Sequence, residues 1–301
     1  MTFRRSILLI SLITLFIPAF CIAEQKAGES DQQINDFSLA GYAEKGKKSW
    51  DLSGKSADIF TEVVKLQDVV GNLYGEKEDI KLTANRGDFN KNNGRVRLEE
   101  QVVITTSSGA KLTTDSLDWD RKNQLVSTKE LVNISKENMV TTAQGAIGQP
   151  DLNKVVLQKD VKVDINPDSQ SKQAKGIKNK VTITCDGPLE IDYQNNVATF
   201  KNNVKVDNLE SLIFSDVMDV YFVRSGKGDH LPEAEARALG ANIEKIIARG
   251  NVKIMRGSNV SYSEEAVYSA LDKKIILRGQ PRLIVYSAED LNASFGNQKP
   301  L

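Results

Sequence analysis

The chain of 301 residues has few of the side chains on which catalytic and metal centres most often depend. It contains one histidine, His230, and two cysteines, Cys21 and Cys185. A histidine-rich metal site and a disulfide scaffold are therefore excluded, and a nucleophile–histidine pair would have to use His230. Aromatic residues make up only 6% of the chain. The 40 basic and 40 acidic residues balance, which argues against nucleic acid as a partner.

Catalytic sequence motifs are missing as well. The sequence has no G-x-S-x-G motif, P-loop or dinucleotide-binding fingerprint. The densest acidic group, within 115–120, alternates with Leu117 and Trp119, which is the pattern of a strand with one solvated face. We therefore expect no enzyme activity, no metal and no cofactor. A carboxylate pair across a cleft, as in a carbohydrate-active enzyme, stays an alternative.

Long apolar runs are confined to the N-terminus. Arg4 and Arg5 precede an apolar segment that runs from Ile7 to Ala23. This pattern predicts a signal peptide or an N-terminal membrane anchor over residues 1–23, and either directs the rest of the chain out of the cytoplasm. Beyond this segment the only cysteine is Cys185, which we expect to be a small buried hydrophobe in a strand.

The rest of the chain has the pattern of repeated short strands. Period-two alternation and turn-forming Asn, Gly, Asp and Lys clusters recur, without a long helical period. The clearest unit is a triplet whose first and third residues are apolar and whose middle residue is usually polar. The triplets begin at Val102, Val132, Val161, Val204, Val252 and Leu283. Because alternate residues of a strand face opposite sides, each triplet presents two apolar side chains to one face.

A repeat near 30 residues with several strands cannot bury its apolar face alone, so neighbouring repeats must stack. We predict an all-β fold: an elongated, open β-jellyroll in which twisted antiparallel strands fold into a groove, built as two tandem modules. The predicted divisions are a flexible segment at 24–36, a first module at 37–163, a linker at 164–180 and a second module at 181–295. A short helical insertion is predicted near 232–239, where Pro232 precedes acidic residues.

The first module resembles the LptC family. The resemblance lies in Leu82–Phe89, in Gly109–Leu117 with its continuation to Val163, and in the opening segment from Phe37 to Ala57. From Val181 onward the chain resembles the LptA (OstA-like) family, through Leu189–Tyr193, the strand leading to Val204–Val206, and Ile246–Ile254. These are strand patterns whose specificity comes from their repetition and order.

The resemblance implies lipopolysaccharide transport across the periplasm. LptC-like proteins sit at the inner-membrane ABC transporter, LptA-like proteins extend the bridge to the outer-membrane translocon, and both hold lipid A acyl chains inside an open jellyroll. It also implies head-to-tail self-association through strand edges, and a periplasmic location that the N-terminal segment would tether if it is an anchor. The alternative is an exported β-solenoid or sandwich that serves as a structural protein or adhesin.

The candidate lipid-groove residues are apolar members of the triplets and of the strands between them. They are Val102, Ile104, Leu117, Trp119, Val132, Ile134, Val161, Val163, Leu189, Ile191, Val204, Val206, Met218, Val220, Val252, Ile254, Leu283 and Val285. The same residues would form the core of any β-sandwich. A lipid groove requires them to form a continuous strip, because shielding about ten methylenes of one acyl chain is worth roughly 8 kcal/mol.

Overall fold

The computed structural model describes most of the chain beyond the N-terminal segment. The described residues are 31–42, 46–75, 79–120, 122–123, 125–136, 138–149, 154–166, 180–222 and 243–286. The predicted signal peptide or anchor, most of the predicted linker and the predicted helix near 232–239 lie outside these residues. Among the residues described, no helix has the length and hydropathy of a membrane span.

The described residues form seventeen strands in one antiparallel sheet, which confirms the predicted all-β fold. The first nine are β1 (Gln32–Tyr42), β2 (Lys48–Ile59), β3 (Val63–Tyr74), β4 (Asp79–Asn90), β5 (Arg95–Thr106), β6 (Lys111–Asp120), β7 (Leu125–Lys136), β8 (Met139–Gln149) and β9 (Lys154–Ile165). The others are β10 (Val181–Cys185), β11 (Leu189–Asp192), β12 (Val197–Asp207), β13 (Ser211–Phe222), β14 (Ile243–Arg256), β15 (Asn259–Ser269), β16 (Lys274–Arg278) and β17 (Arg282–Ile284).

The sheet is a meander in which each strand pairs with the next one in sequence, apart from two strands that are interrupted. β10 and β11 both pair with β9 and β12, so they are two parts of one interrupted strand. β16 and β17 are likewise two parts of one strand beside β15. Among the described strands, β1 pairs only with β2, and β16 and β17 only with β15. The sheet is therefore open, with an edge at each end. Its first strand begins at Gln32, inside the segment predicted to be flexible.

Most long strands bend near their middle, where the pairing register shifts. The shift lies between Glu99 and Val102 in β5 and between Arg249 and Val252 in β14. Residues with positive φ at these shifts include Gln101, Asp160, Asn203 and Asn251, and Asp36 and Asp68 have positive φ at bends of β1 and β3 where the register does not shift. Asp and Asn tolerate this conformation better than most residues, and an extra residue in one strand bends a sheet. The bends fold the sheet lengthwise, so that each bent strand contributes one part to each of two facing walls.

The apolar core lies between these walls and forms two clusters. One comprises buried residues of β1–β6, and the other begins at β7 and continues to β15. The second cluster crosses the predicted linker at 164–180, because β9 pairs directly with β10 and β11, for example Val163 with Ile183 and Leu157 with Leu189. The junction between the predicted modules is therefore continuous in both sheet and core.

Candidate functional site

The deepest part of the interior is the line along which the two walls meet. The residue that follows each bend lies on this line, and Val69, Val102, Val132, Val161, Val204 and Val252 are at most 1% exposed. Each pairs with a small residue on the following strand: the partners, in the same order, are Ala84, Thr114, Ala143, Cys185, Ser215 and Ser263. Phe37 pairs with Gly54 in the same way. We call these fourteen residues the floor.

The floor alternates larger and smaller side chains, because close packing of fully buried positions favours a small partner beside each large side chain. Cys185 fills one of the small positions. It is buried and its thiol is free, as the sequence predicted. Burial raises the pKa of its thiol, which keeps it in the neutral form that suits an apolar interior.

The first wall presents an almost unbroken apolar row to the interior. It contains the third residue of five triplets, and neighbouring members pair across every strand boundary. The row is Leu39, Leu52, Gly71, Leu82, Ile104, Leu112, Ile134, Thr141, Val163, Ile183, Val206, Ile213, Ile254, Ser261 and Leu283. We call it the first-wall row. It runs from β1 to β17 and passes the junction between β9 and β10 without a gap.

The second wall carries two such rows. The inner row contains Leu98, Leu117, Ala146, Leu157, Leu189, Phe200, Met218, Ala248, Ala266 and Leu277. The outer row contains Val64, Phe89, Val96, Trp119, Val126, Gly148, Val155, Ile191, Ala198, Val220, Ile246, Tyr268 and Ile275. The two walls thus enclose a strip that is mainly apolar on both sides from β5 to β16, with Thr128 of β7 beside Ala146 as a polar position in the inner row.

Burial falls from the floor toward the mouth and the ends of the strip. The outer row of the second wall is mostly half-buried. At the two edges the interior residues become exposed, namely Ile34 and Leu39 on β1, and Ile275 and Leu283 on β16 and β17. Exposed large apolar side chains at both ends mean that the strip opens outward instead of closing as an ordinary sandwich core does.

The candidate groove residues fall at three depths. Buried are Val102, Leu117, Val132, Val161, Val163, Leu189, Val204, Met218 and Val252. Half-buried are Ile104, Trp119, Ile134, Ile191, Val206, Val220, Ile254 and Val285. Leu283 is exposed at the edge. All except Val285, which follows β17, lie on the floor or in a wall row.

Several residues of these rows were absent from the sequence-based set. Leu82, Leu157, Ile183, Phe200 and Ile213 are examples. Each lies at an alternate position of its own strand, so period-two alternation would have identified its face. The triplets are the more conspicuous pattern because each of the first five directly follows a bend, which places its first residue on the floor.

The middle residues of the triplets lie on the outer face. Asn133 and Lys162 are exposed, and the Lys205 side chain is 44% exposed. The acidic group at 115–120 is on the same outer face, where Asp118 pairs with an arginine at 3.3 Å. The described residues contain no cluster of three or more His, Cys, Asp or Glu side chains that could hold a metal ion.

One outer-face carboxylate joins β9 to β10 at the junction of the two predicted modules. Asp164 accepts hydrogen bonds from Thr182 at 2.7 Å and pairs with Lys162 at 2.9 Å and Lys180 at 3.1 Å. Burial by itself raises the pKa of Asp164, but the donors Lys162, Thr182 and Lys180 outweigh it and lower the pKa to about 2. The carboxylate is therefore ionised throughout the physiological range.

Comparison with known families agrees with this geometry. Residues 6–166, more than half of the chain, match the family described as lipopolysaccharide-assembly, LptC-related. Residues 182–297 match the family described as LptA/(LptD N-terminal domain) LPS transport protein. A search of curated proteins finds no match. The order of the two matches confirms the predicted LptC-like first half and LptA-like second half, and the chain belongs to the LptC-related family of lipopolysaccharide-assembly proteins, extended by a second half of the LptA type.

Proposed function

We propose that this protein is a periplasmic bridge component that shields the lipid A acyl chains of lipopolysaccharide between its two walls. It passes the lipid from the inner-membrane ABC transporter toward the outer-membrane translocon. The observation that carries the proposal is the continuity of the first-wall row from β1 to β17. An acyl chain moving along this row meets apolar side chains at nearly every strand, and it crosses from the LptC-like to the LptA-like half without leaving the interior.

The protein itself makes and breaks no bonds in this proposal. Burial of about ten methylenes holds one acyl chain by roughly 8 kcal/mol, which opposes its escape from the strip into water. The transporter supplies the energy that loads the lipid and gives its movement a direction. Because neighbouring positions of the strip are chemically alike, a chain can slide from one strand to the next without a deep energy well.

The exposed edges suit end-to-end assembly. Within the described residues, β1 and the β16–β17 strand each present one side without a partner strand. Pairing of such an edge with a neighbouring jellyroll, including another copy of this chain, would extend both the sheet and the apolar strip. The N-terminal segment would hold the assembly at the inner membrane if it is not cleaved.

Site-specific photo-crosslinking tests the proposal. A photoreactive residue at Val206, in the first-wall row, is compared with one at Lys205, the adjacent residue on the outer face. Offered lipopolysaccharide, the full chain should form a lipid adduct at position 206 and little at position 205. Equal labelling at both positions, or none at either in a folded protein, would contradict the proposal and favour a plain structural β-protein.

A further inference from the structure

Three hydroxyl groups on the floor have no hydrogen-bond partner among the described residues. They belong to Thr114, Ser215 and Ser263, which are 6%, 4% and 9% exposed. Each pairs with one of the fully buried floor valines, Val102, Val204 and Val252 respectively. A buried hydroxyl without a partner destabilises the folded state, because it has given up its hydrogen bonds to water.

Packing alone does not require these hydroxyls. The equivalent small positions on other strands are Gly54, Ala84 and Ala143, which fill the floor without a polar atom. An alanine would therefore fit where Ser215 and Ser263 stand and would remove the unpaired oxygen. The hydroxyls thus destabilise the lipid-free protein, and packing does not explain why they are present.

Their place is suited to a ligand that lies along the strip. Ser215 lies two residues from Ile213 on the same face of β13, and Ser263 lies two residues from Ser261 on β15. Two residues along a strand span about 7 Å, so a chain packed against the first-wall row lies close to the floor. β13 and β15 are separated only by β14, which places their two hydroxyls about 10 Å apart along the strip.

We propose that these floor hydroxyls bind oxygen atoms carried by acyl chains, so that the groove favours chains with a hydroxyl or ester oxygen over plain hydrocarbon chains. A serine or threonine hydroxyl both donates and accepts, so either kind of oxygen completes its hydrogen bonding. A methylene in the same place leaves it unpaired. This inference rests on the proposed function, because it requires acyl chains to enter the interior.

A competition experiment tests it with the full chain. 3-Hydroxytetradecanoic and tetradecanoic acid compete with a fluorescent fatty acid, in the wild type and in the triple variant Thr114→Val, Ser215→Ala, Ser263→Ala. The wild type should bind the hydroxylated acid about 3- to 10-fold more tightly, the range expected for one hydrogen bond in an apolar site. The triple variant should bind both acids equally and unfold at a higher temperature when empty.

Thr113→Val is the matched control. It removes the same hydroxyl from the adjacent residue of β6, which lies in register with Val103 and Asn133 on the outer face, and it should preserve the preference. Equal binding of both acids by the wild type, or a preference that survives in the triple variant, overturns the inference and leaves the proposed function standing. If neither acid displaces the probe and no lipopolysaccharide adduct forms at position 206, both the inference and the proposed function are overturned.

Discussion

At the scale of single residues, depth in the fold decides what each apolar side chain does. In five of the six triplets the first residue packs on the floor, where it stabilises the bend, and the third lies in the first-wall row nearer to the opening. Val102 and Ile104 illustrate the difference, since the first is fully buried and the second half-buried. Apolar floor residues should therefore determine stability, and half-buried wall residues should supply most of the apolar contact with lipid.

Val102→Ala should lower the free energy of unfolding by about 2 kcal/mol, because it removes two methyl groups from a fully packed site. Val103→Ala on the outer face of the same strand should lower it by less than about 0.5 kcal/mol. Urea denaturation of both variants measures the difference. Equal losses would show that the two faces of β5 have been assigned wrongly.

Asp164→Asn should reduce stability only modestly, by less than about 1 kcal/mol, since its partners are partly solvent-exposed lysines. The folded-state pKa of about 2 lies below the ordinary aspartate value of 3.8, so the ionised carboxylate stabilises the fold above about pH 4. That contribution is lost as the pH falls from about 4 to 2. Urea denaturation at several pH values in this window should show a smaller change of unfolding free energy with pH for the variant than for the wild type. An identical pH dependence in both proteins would contradict the assignment.

At the scale of strands, the bends are the elements that turn a flat meander into two walls. Polar residues with positive φ, such as Gln101 and Asn251, directly precede a floor valine. This local order explains why the triplets stand out in the sequence. The bend between β10 and β11 uses Gly187, whose φ is 100° and whose backbone passes against β9.

Gly187→Ala should destabilise the protein by about 3 kcal/mol, because the added methyl group would overlap the backbone oxygen of Gln158 as well as require a positive φ. Gly94→Ala is the matched control. Gly94 also has a positive φ, of 71°, but open space surrounds its missing side chain. It should cost only about 1 kcal/mol. Thermal unfolding of the two variants would show similar losses only if β9 can move away from the bend.

At the scale of the whole molecule, the sheet and the core continue across the boundary between the two family matches. The core cluster that begins at β7 includes Val161 and Val163 of the LptC-like half and Ile183 and Leu189 of the LptA-like half. The break between the two core clusters falls earlier, between β6 and β7. The two halves therefore share a core instead of meeting as separate domains.

Division of the chain within 167–179 should expose this shared core. The fragments 24–166 and 180–301, produced separately, should aggregate or be less stable than the full chain, and on mixing they should form a 1:1 complex. Size-exclusion chromatography with light scattering measures the outcome. Two monodisperse fragments that unfold at the temperature of the full chain and do not associate would show that each half completes its own core.

Local sequence determined the fold class of this protein and the face of the sheet on which many side chains lie. Alternation along a strand depends only on backbone geometry, so the all-β fold, the outward direction of Asn133 and the burial of Val132 were all predictable. The two family matches lie in repeated strand patterns of the same kind. Tertiary structure alone decided the register between strands, which depends on bends and turns that bring distant segments together. That register aligns Ile104, Val163 and Val206 into one row, joins the two halves at β9, and leaves three hydroxyls unpaired on the floor.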